Sequence, residues 1–188
     1  MSQDKITDDS YGPFIRGLLQ RGHTSVLEFA SFHVEVLTSR DVMAELTRHR
    51  HSSFAIQSQR YVAADRDTDV IYIQPEFWLA PDDLATDPKR WCASRKWEEL
   101  MSSAEKAYSY MRHEAGQSPQ DARKVLPNSH ACIINTRANL RQWLSIFELR
   151  CAPGVYPEMR KLMLMIRDEF DRMFPELRVK EVAQSENH

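Results

Sequence analysis

Two runs in the chain combine residue types that can do chemistry: Arg48-His49-Arg50-His51 and Ser58-Gln59-Arg60-Tyr61. Guanidinium groups present fixed, paired donors that suit a phosphate or pyrophosphate. A serine and a glutamine add mixed hydrogen-bond donors and acceptors. Side chains on a helix turn by about 100° per residue, so Arg48, His49 and Arg50 cannot face one pocket together. They can address different groups of one ligand around a helix end. The run also fits a solvated helix terminus whose cations complement the helix dipole.

Other chemistries find less support. Ser58 sits in no G-x-S-x-G elbow and has no identifiable base, which argues against a hydrolase nucleophile. His33 and His130 fall in predicted strands, where lone histidines are ordinarily structural, and no third ligand at a metal-binding spacing accompanies them, so no metal is assigned. None of the five glycines forms G-x-G-x-x-G or a P-loop, so any nucleotide or flavin site is built differently. Cys92, Cys132 and Cys151 are odd in number and far apart, which argues against a disulfide framework or zinc knuckle and fits a reducing cytoplasm. Lys and Arg number 25 against 27 Asp and Glu, so there is no global electrostatic reason to expect a nucleic acid or membrane partner. Met1 to Ser10 is polar and acidic, and no stretch approaches the roughly 18 apolar residues of a membrane helix. The expectation is a soluble chain of 188 residues with one hydrophobic core and one domain.

The elements that must position these residues follow from periodicity. Phe14 to Gln20 reads as a short helix ending near Gly22. Phe32, Val34 and Val36 alternate with polar residues, as in a half-buried strand. Thr38 and Asp41 resemble an N-cap and its partner, opening a helix in which Val42, Leu46 and His49 share a face and which ends in the cationic run. Ser52 to Gln59 reads as short, polar and mixed, followed by extended chain at Arg60, Tyr61 and Val70 to Ile73. Trp97, Leu100, Met101, Ala104, Tyr108 and Met111 keep the helical rhythm of the longest helix, over Trp91 to Met111. A short helix over Asp121 to Val125 stops at Pro127, and His130 to Ile134 forms a strand. Leu140, Trp143, Leu144 and Phe147 make one helical stripe. Met159, Leu162, Met163, Ile166, Phe170 and Met173 make the last, ahead of a polar tail over 178–188 expected to fray.

Four segments, in order, resemble one family. Arg48-His49-Arg50 followed after seven residues by Ser58 is similar to the signature of the flavin-dependent thymidylate synthases. Gly22-His23-Thr24-Ser25-Val26-Leu27-Glu28 resembles that family's His-x-Thr/Ser-x-x-Glu segment. Arg123-Lys124-Val125-Leu126-Pro127 resembles its Arg-x-x-Leu-Pro, and Asn139-Leu140-Arg141 with Glu148-Leu149-Arg150 resembles its Asn-x-Arg and terminal Leu-Arg. The N-terminal strand and small Ala-Arg-x-Ser segment of the family have no counterpart in Met1 to Ser10, so the chain is expected to lack that segment. Ile56 stands where the family commonly has Glu or Gln, and Glu45 where it commonly has Gln.

The resemblance implies an α/β (α+β) fold like that of the thymidylate synthase complementing proteins, with a small, mostly antiparallel sheet packed by helices, assembled as a homotetramer with interfacial active sites. It implies reductive methylation of dUMP to dTMP, with methylenetetrahydrofolate as one-carbon donor and NADPH-reduced FAD. By the same resemblance His23, Ser25, Arg48, His49, Arg50, Asn139, Arg141 and Ser145 hold the flavin. Glu45, Arg48, Gln57, Ser58, Gln59, Arg60, Arg123 and Arg150 face the nucleotide. Arg150 is implied to be catalytic, favouring ionisation of the uracil so that its carbon is activated without a cysteine. On its own helix Arg150 borders the apolar stripe while Arg141 points nearly the opposite way, so one helix serves two pockets or one pocket shared between subunits. Two rival readings stay open: a relative acting on another pyrimidine nucleotide or one-carbon unit, and a non-catalytic nucleotide- or RNA-binding protein that uses Arg48 to His51 as a phosphate patch.

Overall fold

The computed structural model describes residues 7, 10–62 and 71–178. The chain divides into two compact units, one built from the residues up to His33 and from Arg137 onward, the other from Val34–Thr136. Val70 and the tail from residue 179 onward, both read above from the sequence, lie outside the described residues.

In the first unit, helix α1 spans Tyr11–Gln20. It closes with the backbone N–H of Gly22 on Leu19 O at 2.9 Å and that of His23 on Leu18 O at 2.9 Å. This paired closure requires a left-handed residue, and Gly22 has φ of 77°. A 3-10 turn over Ser25–Phe29 leads into strand β1, Ser31–Ser39. Helix α5, Leu140–Arg150, starts at Asn139, whose side chain accepts from the Gln142 N–H at 2.8 Å. Helix α6 covers Pro157–Met173. The apolar stripes expected from periodicity meet in one aromatic core. Phe32 lies edge-on to Trp143 at 5.6 Å and to Phe170 at 5.5 Å, Phe147 is edge-on to Phe170 at 5.2 Å, and the indole N–H of Trp143 donates to Phe32 O at 2.9 Å. A buried indole needs such a partner.

Most of a three-stranded sheet of order β1-β3-β2, with β2 at Ser52–Ile56 and β3 at Ala131–Asn139, lies in the second unit. The strands are antiparallel: Asn135 reaches Glu35 across the β1 pairing at 2.8 Å, and the Gln57 N–H continues the β2 pairing to Ile133 O at 2.9 Å. Residues 71–73 run alongside the start of β3 through a bridge between Tyr72 and His130. The longest helix, α3, covers Pro88–Ser109, with Pro88 at its first position and the Asp87 side chain capping the Arg90 N–H at 3.0 Å. A π turn at Tyr110–Glu114 continues it. The stretch before it is fastened around Arg95, whose guanidinium stacks on Trp78 at 5.8 Å and Trp91 at 5.5 Å and donates to Leu79 O. Helix α4, Pro119–Ala122, runs into a 3-10 turn at Arg123–Val125.

Three sequence expectations are corrected. Helix α2 spans only Arg40–Leu46, begins after Ser39 rather than Thr38, and ends before the cationic run, which forms a turn. His49 nevertheless stays buried. Ser52–Ile56, read as mixed, is a strand, while Arg60 and Tyr61, read as extended, are a turn. The strand expected at His130 to Ile134 runs on to Asn139, because its other edge is also paired. Among the described residues no helix is long and apolar enough to cross a membrane.

His130, expected in a strand, forms an isolated bridge to Tyr72 just ahead of β3 and is buried. Burial, and then the charge of Arg40, push its imidazole down to about 4. The folded protein therefore holds this ring neutral where an unfolded chain, with a pKa near 6.5, takes up a proton. Its contribution is fully present above about pH 6.5 and is lost as pH falls toward 4. Between pH 7 and pH 4.5, wild type is expected to lose about 2 kcal/mol more stability than His130→Asn in denaturant titrations. In the other unit Phe170, fully buried at the meeting of three rings, has no way to be replaced by collapse. Phe170→Ala is expected to cost about 3 to 5 kcal/mol in the same assay.

Candidate functional site

In the second unit the segment Gln57–Arg60 leaves strand β2 and turns. Ser58 shapes this turn from within, its hydroxyl accepting from the Arg60 N–H at 3.3 Å and its carbonyl from the Val62 N–H at 3.0 Å. Three further bonds fasten it. Arg40 donates from Nη2 to Gln57 O at 3.1 Å, Gln59 Nε2 lies 2.9 Å from His130 Nδ1, and Arg60 donates from Nε to Gln120 Oε1 at 2.8 Å. Gln120 also receives Arg123, whose Nε reaches its backbone carbonyl at 3.3 Å. Arg60 and Arg123, expected to face one nucleotide, are thus joined through one residue. Arg40 stands close enough to Arg123 for that charge, after burial, to lower its own pKa. A guanidinium does not give up its charge at neutral pH, so this corner of the unit is a place for an anion.

The cationic run lies at the opposite end of β2. Arg48 N–H bonds Glu45 O at 3.2 Å and His49 N–H bonds Leu46 O at 3.2 Å, so the chain leaves α2 in a tight turn. Arg48 and Arg50 are exposed, Glu45 is half-buried, and His49 is 8% exposed. The turn thus separates the imidazole from the two guanidiniums, where the sequence had grouped all three. A strand rises about 3.3 Å per residue, so the Arg48 to His51 turn and the Gln57 to Arg60 turn are on the order of 15 to 20 Å apart within one chain.

In the first unit, His23 and Ser25 are exposed just beyond the Gly22 turn. Glu28, three residues after Ser25, pairs with Arg141 at 2.5 Å, and both side chains are about half exposed, so this is an ion pair that orients more than it stabilises. The two family-like segments, distant in sequence, meet here. Ser145 follows Arg141 by one helical turn and bonds back to its carbonyl at 3.4 Å. Asn139 spends its side-chain oxygen on the α5 cap, a role that its place before the apolar stripe already signals. Arg150 ends α5 half-buried, on roughly the opposite side from Arg141.

Sequence reasoning did not single out Arg40, Gln120 or the use of His130. Arg40 and Gln120 sit at helix starts, where polar residues are unremarked, and Gln59 meets His130 only through the tertiary fold. Among the described residues no group of three His, Cys, Asp or Glu is placed to hold a metal ion.

The chain matches the family model described as thymidylate synthase complementing protein over residues 1–176. It is 33% identical to the flavin-dependent thymidylate synthase of Halobacterium salinarum, over 86% of this chain and 71% of that one. It is 33% identical to a probable flavin-dependent thymidylate synthase of Mycobacterium phage D29, over 79% and 63%. It is 26% identical to the flavin-dependent thymidylate synthase of Synechocystis, over 93% and 82%. The chain therefore spans about two thirds to four fifths of the length of these relatives. An identity of 33% that covers most of both chains, with a family model matched over residues 1–176 of this one, places this protein in the thymidylate synthase complementing protein family, the flavin-dependent thymidylate synthases.

Proposed function

We propose that the protein is a flavin-dependent thymidylate synthase, an enzyme that reductively methylates dUMP to dTMP with methylenetetrahydrofolate as one-carbon donor. FAD, reduced by NADPH, supplies the hydride when bound. The observation that carries this reading is the meeting of the Gln57–Arg60 turn with Arg123, through Gln120, in a chain of this family. Arg60 and Arg123 take the phosphate of the nucleotide. Ser58 and Gln57 orient its ring, and Glu45 and Arg48 reach it from a second copy of the chain. Arg150 supplies a fixed positive charge where the uracil becomes anionic, an arrangement that needs no proton transfer from the arginine.

The donor set also fits a flavin dinucleotide. Exposed guanidiniums at Arg48 and Arg50, with His49 behind the turn, suit its pyrophosphate, and the family resemblance assigns His23, Ser25, Asn139, Arg141 and Ser145 of the first unit as further flavin contacts. Arg141 and Arg150, on roughly opposite sides of α5, support a homotetramer with interfacial sites, because one helix then serves two sites. Apolar side chains left exposed in the first unit, Phe29 at 95% and Leu149 at 62%, support subunit contact as well. Residues 1–188 act as one synthase domain ending in a polar tail. Three cysteines without disulfides fit the cytoplasm.

The test is the visible spectrum of the purified protein before and after anaerobic addition of NADPH and dUMP. Flavin bands that bleach in the presence of both, with dTMP found by mass spectrometry once methylenetetrahydrofolate is added, are the expected result. A colourless protein that takes up no added FAD overturns the reading, and a different methylated product moves it to another pyrimidine. Arg150→Lys keeps the charge and loses the forked donor geometry. It is expected to lower kcat by roughly 100-fold while the melting temperature stays close to wild type.

A further inference from the structure

Gln59 stands in the segment assigned to the nucleotide, yet its side chain turns away from that role. Its amide nitrogen lies 2.9 Å from Nδ1 of His130, a residue 71 positions further along the chain. An amide NH2 group only donates, so Nδ1 accepts and the ring proton resides on Nε2. His130 is 8% exposed, held by the bridge to Tyr72 and set edge-on to the Tyr72 ring at 6.2 Å. The imidazole is therefore fixed before Gln59 meets it, and Gln59, at the free end of a turn, is the partner that gains order.

We infer that His130 is a positioning residue for the nucleotide site: it anchors Gln59, so that Gln59 is the inner foot of the turn, and the exposed Gln57 and Arg60 are the residues presented outward. The inference deepens the nucleotide assignment of Gln57–Arg60 and rests on it. Three fasteners act at three successive points. Arg40 holds the carbonyl of Gln57, His130 holds the side chain of Gln59, and Gln120 holds the side chain of Arg60. A turn clamped in this way needs little ordering when nucleotide arrives, which favours affinity. Only the neutral ring can accept from Gln59, because an imidazolium donates from both nitrogens.

The test uses the FAD-loaded protein with Gln59→Leu, His130→Leu, the double variant and His130→Asn, the last keeping an acceptor in a smaller side chain. Calorimetric titration with dUMP, steady-state kinetics and amide hydrogen exchange of the peptide over Gln57–Arg60 are read together. Each leucine variant is expected to raise Kd and KM for dUMP about 10-fold, the effect of one buried hydrogen bond, with kcat within about 3-fold of wild type and faster exchange in the turn. The double variant should be no worse than either single one, and His130→Asn should recover most of the loss. A loss in Gln59→Leu without one in His130→Leu overturns the inference, since Gln59 then reads the nucleotide directly. Losses that simply add overturn it too. If wild type takes up no dUMP, the functional reading falls, and the exchange measurement alone decides the anchor: unchanged exchange in both leucine variants removes it.

Discussion

The pairing of strand β3 along both of its edges is the interaction on which the sheet and the Gln57–Arg60 turn depend. A central strand has no backbone group left to water, so its register is fixed from two sides. That register places His130 at the strand's entry beneath the Gln57–Arg60 turn, and Ile133 where it receives the Gln57 N–H as β2 ends. Cys132, buried two residues after His130, aims its thiol at Ser39 O, a neighbour rather than solvent. The turn is therefore built on a rigid floor. Loops that recognise ligands gain precision from such support.

The arginines divide into different kinds of work. Arg95 packs against two indoles, donates to one backbone carbonyl and belongs to the scaffold of the stretch before α3. Arg40 ties one strand end to its neighbours while adding charge beside Arg123. Arg141 is steered by Glu28, so this cation is held in place by a carboxylate from the other family-like segment. A near-neutral chain thus gathers its cations locally, and the total charge says little about what any one corner attracts.

Much of this was legible in the sequence. The helices α3, α5 and α6 follow from apolar periodicity, since each buries one stripe, and Asn139 is placed by the stripe that starts beside it. The four family-like segments name the chemistry. Strand β2 was not legible, because Ser52–Ile56 alternates between partly buried and exposed positions without a strong apolar face, and pairing with β3 supplies what propensity does not. The cationic run was read as helical because Leu46 and His49 keep helical spacing, but two successive turn bonds end the helix first. Partnerships such as Gln59 with His130, or Arg60 with Gln120, join residues 71 and 60 positions apart and leave no periodic trace.

The five-residue strand between the two polar turns has a consequence for how this sequence can vary. Ala55 and Ile56 fill positions whose side chains do not define either turn, so their chemistry is open to exchange. The count of residues is not. Adding or removing one position would shift a turn by about 3.3 Å and reverse which way every following side chain points. What heredity has to preserve across this stretch is a length and a parity, and a gap in it would be more damaging than any single replacement.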